Sequence, residues 1–283
     1  MAIIPVILDK IGFLRNSLLT SKETTTNFPD FLGIGAQKSG TTWLYKNLRK
    51  HPQLYIPKIK EIHYFNWYFY KSINWYCKYF KDAKKTQVTG EINPGYSDLC
   101  ERKIKFIHKM NPKLKIILLL RNPIERAWSQ AVMNLVKTKK NKKANIPIID
   151  LFSVIKRATS TRKKDFNLIK NEEFIAHFNH PRSIERGNYL NIIKKWEKYF
   201  PNNQIFIGDY NQLKISPDKL LNAIFDFLGI TQVTEWNNYP LHSKINSTKK
   251  EKTRIPHELY EYLSRIYSND LKMLKEKVPN IKW

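Results

Sequence analysis

Residues 35–42, GAQKSGTT, gather the groups that can hold an oxyanion. Gly35 and Gly40, five positions apart, let the chain curl so that successive backbone N–H groups point inward at the N-terminus of the next helix. Thr41 and Thr42 add hydroxyl donors, and Lys38 sits beside Ser39 inside the loop. In nucleotide-hydrolysing loops, a lysine just after the second glycine and its hydroxyl neighbour serve the β and γ phosphates and a magnesium ion. Here the hydroxyl remains, but the lysine has moved into the loop. Such a loop suits an anion needing less charge neutralisation than a triphosphate. The same glycine pair also describes a tight strand-to-helix turn that holds nothing.

A second constellation lies in KLKIILLLRNPIERAWSQ, residues 113–130. Arg121 ends an apolar run, Pro123 occupies a first helical position, and Ser129 follows two turns on. An arginine there can grip a second phosphate through a bidentate fork, or it can simply pair with Glu125. Ligands of parallel α/β sheets bind outside the carboxyl ends of the strands, and the Lys38 loop and Arg121 both follow candidate strands.

The elements that must position these groups alternate along the chain. FLGIG (31–35), QVTGEI (87–92), KIILLL (115–120) and QIFIGDY (204–210) read as short buried strands. The long segments between them predict parallel pairing with helical crossovers. Helices are predicted over 41–50, 99–110, 123–137, 187–200, 216–228 and 256–278. Over 187–200 the apolar residues Tyr189, Ile192, Ile193, Trp196 and Phe200 follow the helical period. The segment KTKKNKKANIP (137–147) reads as a charged surface loop that ends the preceding helix.

Composition sets the class. The chain has 283 residues, 42% of them hydrophobic, enough for one large α/β domain, preceded by an N-terminal arm over 1–28. The 50 basic and 24 acidic residues give a formal charge of +26, which makes polyanions, anionic nucleotides and acidic membrane surfaces plausible partners. Lysine scattered over solvent faces explains much of that charge equally well. Cys77 and Cys100 have no metal-ligand spacing and read as free thiols of a reducing compartment, with a single disulfide between them as the other reading. The first apolar run, broken by Asp9 and Lys10, is too short to span a bilayer and reads as a packing arm, with a weak interfacial segment as the other reading. The chain is expected to be soluble and cytoplasmic.

Together the two motifs resemble the sulfotransferases that use 3′-phosphoadenylyl sulfate (PAPS). GAQKSGTTWL is similar to that family's loop for the 5′-phosphosulfate, and RNPIERAWSQ to its 3′-phosphate segment. KEIHYFNW (60–67), INWYCKYF (73–80), TGEINPGY (89–96) and RGNYLNIIKKWEKYFP (186–201) resemble segments of the Golgi heparan sulfate branch and its bacterial relatives. The resemblance implies an α/β, P-loop-like three-layer fold with a central parallel sheet flanked by helices. It assigns Lys38, Ser39, Gly40, Thr41 and Thr42 to the phosphosulfate, Arg121 and Ser129 to the 3′-phosphate, and Trp43 and Tyr189 to the adenine wall. Glu61 would be the general base with His63 beside it, and Lys38 would act on the leaving group. Without the resemblance, Glu61 would read as a salt-bridge partner of Lys60 or Lys58. Lys249, Lys250, Lys252 and Arg254 fall where the family has a cofactor-covering loop, although the family's central glycine is absent; a solvated basic loop is the other reading. No metal is expected.

Two positions depart from the heparan branch. Asn66 replaces an acidic residue and Ile92 replaces a lysine, and in that branch both face the acceptor. The loss of the lysine argues against a highly sulfated, uronate-rich acceptor. No signal anchor like that of the Golgi enzymes is expected, and a bacterial-type enzyme acting on a glycan, glycolipid or small metabolite is the expectation, with no specific nucleic-acid partner. A P-loop nucleotide kinase and a basic nucleic-acid-binding protein are the rival readings. Against the kinase stand the missing Gly-Lys-Ser/Thr sequence and the arginine, in place of a magnesium-binding aspartate, after KIILLL. For nucleic acid stand the charge and the aromatics, which predict steeply salt-dependent binding with no nucleotide requirement.

Overall fold

The computed structural model describes residues 3–17, 27–143, 169–243, 254–281 and 283. Five strands, β1 (Phe31–Gly35), β2 (Leu54–Tyr55), β3 (Val88–Ile92), β4 (Lys115–Leu120) and β5 (Ile205–Asp209), form one sheet of order β2-β3-β1-β4-β5. Every pairing is parallel. The helices of eight or more residues are α1 (Ile3–Ser17), α2 (Thr41–Leu48), α4 (Glu101–Met110), α5 (Pro123–Lys143), α6 (Asn171–Asn179), α8 (Tyr189–Glu197), α10 (Pro217–Leu228) and α11 (His257–Lys277). The shorter α3 (Ile73–Cys77), α7 (Pro181–Glu185) and α9 (Gln212–Ile215) fall between them.

The strands read as continuous apolar runs because both faces of the sheet are covered. Along β1 and β4 the side chains alternate between two cores. Leu32, Ile34, Ile116, Leu118 and Leu120 join the aromatic 62–80 segment, α4 and α8 on one face. Phe31, Ile117 and Leu119 join α2 and α10 on the other. A third cluster, around Trp128, Phe174 and Leu263, binds α5 to α6 and α11. The result is the expected three-layer arrangement.

The predicted strands appear within a residue of their expected ends. The helix starting at Pro123 runs through Lys143 rather than stopping near 137. Lysine is an adequate helix former, so the charged run extends the helix; residues 144–147 lie outside the described residues. The two-residue β2 and the short helices offered too few residues to show a period. Cys77 is buried, Cys100 is exposed, and both are free thiols. Among the described residues no helix is long and apolar enough to cross a membrane.

One glycine is fixed by packing across the sheet. A Cβ on Gly90 would lie 2.2 Å from the Phe31 ring, whose backbone pairs with Gly90 in the β1–β3 register. Phe31 is fully buried and has nowhere to retreat. Gly90→Ala is therefore expected to destabilise the fold by roughly 1–3 kcal/mol, the usual cost of overpacking a filled core, measured as a lower urea midpoint at unchanged slope.

Candidate active site

The central strand β1 has β3 on one side and β4 on the other, and its C-terminal end opens into a cleft of about 1380 Å³. The loop after β1, the segment after β4 and the 60–67 turn all contribute to its walls.

The loop starts where Ala36 N–H donates to the Leu119 carbonyl (2.7 Å), tying it to β4. Gly40, with φ 84°, is the N-cap of α2 and carries no side chain, so no side chain caps the first turn. A Cβ there would lie 2.4 Å from a Leu213 methyl, so the close approach of α9 requires the glycine as well. Lys38, Gly40, Thr41, Thr42 and Trp43 line the cleft. The Lys38 amine lies 3.7 Å from the Met133 sulfur. Trp43 is held by its indole N–H on the Leu241 carbonyl, 2.8 Å away. Ser39, expected to bind the phosphosulfate, is instead fully buried beneath the loop and is not among the residues lining the cleft.

Arg121 reaches the cleft from the end of β4. It donates to the Lys38 carbonyl (3.3 Å) and, through Nε and Nη2, to Glu125 (3.1 and 2.8 Å), with its guanidinium over the Tyr210 ring. The pairing with Glu125 is thus present. Glu125 is half-exposed, so this ion pair is worth about 0–1 kcal/mol and is readily exchanged for a buried oxyanion. Ser129 lines the same wall. Tyr189 does not wall the cleft as expected. It is fully buried, and its hydroxyl donates to the Arg121 carbonyl at 2.8 Å. Its place in the apolar stripe of α8 turns it toward the core. Lys249, Lys250 and Lys252 lie outside the described residues; Arg254 is exposed and is not among the residues lining the cleft.

Opposite the loop, Glu61 and His63 face the cleft, their side chains 3.5 Å apart between Oε2 and Nε2. Glu61 also pairs with the Lys60 amine. Burial lowers His63 to about 4, against its hydrogen bond with Asn66 and helped by the Lys60 ammonium, so the imidazole is neutral near pH 7. Its ring stacks on Trp67 at 3.6 Å. Burial likewise lowers Lys60 to about 8, partly offset by Glu91. Asn66 lines the cleft, whereas Ile92 is buried in the core against Gly33.

Three features here were invisible in the sequence. Among the described residues the non-glycine positions with positive φ are Lys38 (71°), Glu61 (64°) and His63 (61°), and all three line the cleft. Each left-handed residue costs of order 1–3 kcal/mol and must be held by its surroundings. The second feature is one of the groups that hold it. Glu91, fully buried at the end of β3, accepts from Ile62 N–H (2.8 Å), Tyr76 (2.8 Å), Tyr96 (3.1 Å) and Asn93 (3.5 Å). It thereby fixes the peptide between Glu61 and His63. The third is Arg186, which lines the cleft, pairs with Asp98 (3.1 Å) and donates to Gln37 of the loop (2.9 Å). Within its strand nothing marks Glu91 out, because its tyrosine partners come from other segments.

Burial raises Glu91 to about 7, against the four donors that favour its charged form. A carboxyl raised in the folded state stabilises below its ordinary value of 4.5, and that contribution is lost as pH climbs toward 7. Glu91→Gln removes the dependence. The melting temperature of the variant, relative to wild type, is expected to rise as pH is raised across this window, and a pH-independent difference would contradict the assignment.

Residues 28–278 match the sulfotransferase domain family. The membrane-associated sulfotransferase kil1 of Dictyostelium discoideum is 28% identical over 268 aligned residues, covering 72% of this chain and 57% of that protein. Bifunctional heparan sulfate N-deacetylase/N-sulfotransferase 1 of Homo sapiens is 28% identical over 235 residues, covering 79% of this chain and 24% of that protein. The chain thus spans less than two thirds of either relative. A crystal structure of a sulfotransferase from Alicyclobacillus acidocaldarius shares the fold, with a TM-score of 0.64 at 21% identity over 90% of this chain and 97% of that one.

Proposed function

The chain belongs to the sulfotransferase domain family, and we propose that it transfers a sulfuryl group from PAPS to a hydroxyl or amine acceptor. The observation that carries this reading is the meeting, across one cleft, of an uncapped helix N-terminus with Lys38, an arginine and serine at the neighbouring strand end, and a carboxylate beside a neutral imidazole. The donor set fits a nucleotide bearing two separate anionic groups. Lys38, Thr41, Thr42 and the first-turn N–H groups would take the phosphosulfate; Arg121 and Ser129 would take the 3′-phosphate. Trp43 offers an aromatic edge for the base.

PAPS supplies a sulfuryl group on a phosphate leaving group. Charge grows on the bridging oxygen as that bond lengthens, and a lysine with a helix N-terminus aimed there lowers the barrier by preorganised electrostatics. Glu61 takes the acceptor proton. Its pairing with Lys60 and its left-handed backbone orient the carboxylate, and the neutral His63 beside it can accept or relay a proton. Water is limited on this side by Trp67 and the aromatic turn beneath it.

For the acceptor we propose a carbohydrate or glycolipid. The human relative is named for heparan sulfate, but this cleft has Asn66 where that branch has an acid, and Ile92 is turned into the core. The cations of the far wall, Lys60, Lys103 and Arg186, are each paired with an acid of the same cleft, Glu61, Asp9 and Asp98. An acceptor with a few anionic groups suits this wall better than one with many.

The product 3′,5′-adenosine bisphosphate (PAP) should raise the melting temperature. Arg121→Ala should lose most of that rise, because removing one member of a desolvated charge pair costs roughly 2–5 kcal/mol. Unchanged PAP binding would overturn the 3′-phosphate assignment.

Glu61→Gln should bind PAP as wild type does, while transfer of radiolabelled sulfate from PAPS to a responsive acceptor falls by roughly 10²–10⁴. Wild-type turnover in this variant would remove Glu61 from the chemistry.

A further inference from the structure

Helix α1 is reversed for a helix that only packs on its own protein. At about 100° per residue, the inward arc carries Gly12 and Asn16, both buried, with Asp9 and Phe13 at its edge. Gly12 sits so close to the 64–70 turn that a Cβ would lie 2.4 Å from the Phe69 carbonyl oxygen. Asn16 donates to the Tyr64 hydroxyl (3.2 Å), and Asp9 pairs with Lys103 (2.7 Å). The helix is therefore firmly docked, by its more polar side.

The outward arc reads, in order around the helix, Val6, Lys10, Leu14, Ile7, Ile11 and Arg15. Its four aliphatic side chains are exposed by 54% (Val6), 74% (Leu14), 48% (Ile7) and 48% (Ile11). The apolar centre, Leu14, Ile7 and Ile11, is bounded by one cation on either side. Hydrocarbon in the middle with long basic side chains at the edges is the pattern of a helix lying in a membrane interface, where the cations extend to the lipid phosphates.

Charge selects the occupant. A second copy of a chain carrying a formal +26 would be repelled, whereas an anionic bilayer is drawn to the same charge. We propose that α1 lies in the plane of an anionic lipid surface, its aliphatic arc in the acyl boundary, Lys10 among the phosphates, and Arg15, one of whose N–H groups donates to the Tyr70 carbonyl (3.2 Å), turning its remaining donors to them. Leu8 and Asp9 of the same helix line the cleft, as does the exposed Trp67 on the turn that α1 packs against. Docking would set the cleft mouth beside the headgroups. The proposal stands whether or not the cleft transfers sulfate.

The test is flotation of the full chain with phosphatidylcholine vesicles, with and without phosphatidylglycerol, at low and high salt. Wild type should float with the anionic vesicles and keep part of its binding at high salt. The double variant Ile7→Asp, Leu14→Asp should lose roughly tenfold or more of its affinity with unchanged circular dichroism. A control of equal charge on exposed apolar positions elsewhere, Ile215→Asp with Met273→Asp, should retain binding. Equal loss in both pairs would mean adsorption by net charge alone and would overturn the proposal. So would absence of vesicle binding, including the case in which wild type is a dimer that the α1 variant dissociates.

Discussion

Strand β1 is enclosed on every side: β3 and β4 flank it, and packed layers cover both of its faces. A strand so placed can meet water only at its ends. The backbone groups of the loop that leaves it must then be satisfied locally or remain available to a ligand. Because β4 is the next strand over, the loop after β1 and the residues after β4 open at the same edge of the sheet, as ligand sites of parallel sheets do. The loop and Arg121, the proposed anion-binding elements, therefore meet through topology.

The opposite wall is governed by a different constraint. The Lys60–His63 segment has no regular structure to hold it, yet it keeps two bulky residues in left-handed conformations. Its order comes from beneath, through a carboxylate that accepts from the Ile62 amide and from two tyrosines. The aromatic packing of Tyr64, Phe65, Tyr76 and Tyr96 excludes water from that carboxylate. A buried acid is costly unless its acceptors are satisfied, and here the donors that satisfy it also shape the wall.

How much could be read from the sequence follows from the range of each interaction. Strands β1, β3, β4 and β5 and helices α2, α4 and α10 depend on local periodicity, and short apolar runs such as KIILLL point to them. The loop and Arg121 could be picked out as candidates because their glycine spacing and residue types suit an oxyanion, and the structure brings both to one cleft. Glu91 depends on tyrosines from other segments, so nothing within its own strand announced its role. Tyr189 was assigned to the adenine wall from motif position, but the helical stripe that contains it carries it into the core. The charged run after 137 looked like a loop because its composition is polar, although lysine is compatible with helix.

The hydrogen bonds of Arg121 have a further result. Its carbonyl is held by Tyr189, its guanidinium touches the Lys38 carbonyl, and Ala36 is bonded to Leu119 of the same strand. The loop and the arginine are thus two jaws on one frame, and they cannot separate without breaking these bonds. Under the proposed assignment, the 5′-phosphosulfate would meet one jaw and the 3′-phosphate the other, so a caliper of this kind would respond to the span between the two groups as well as to their charge.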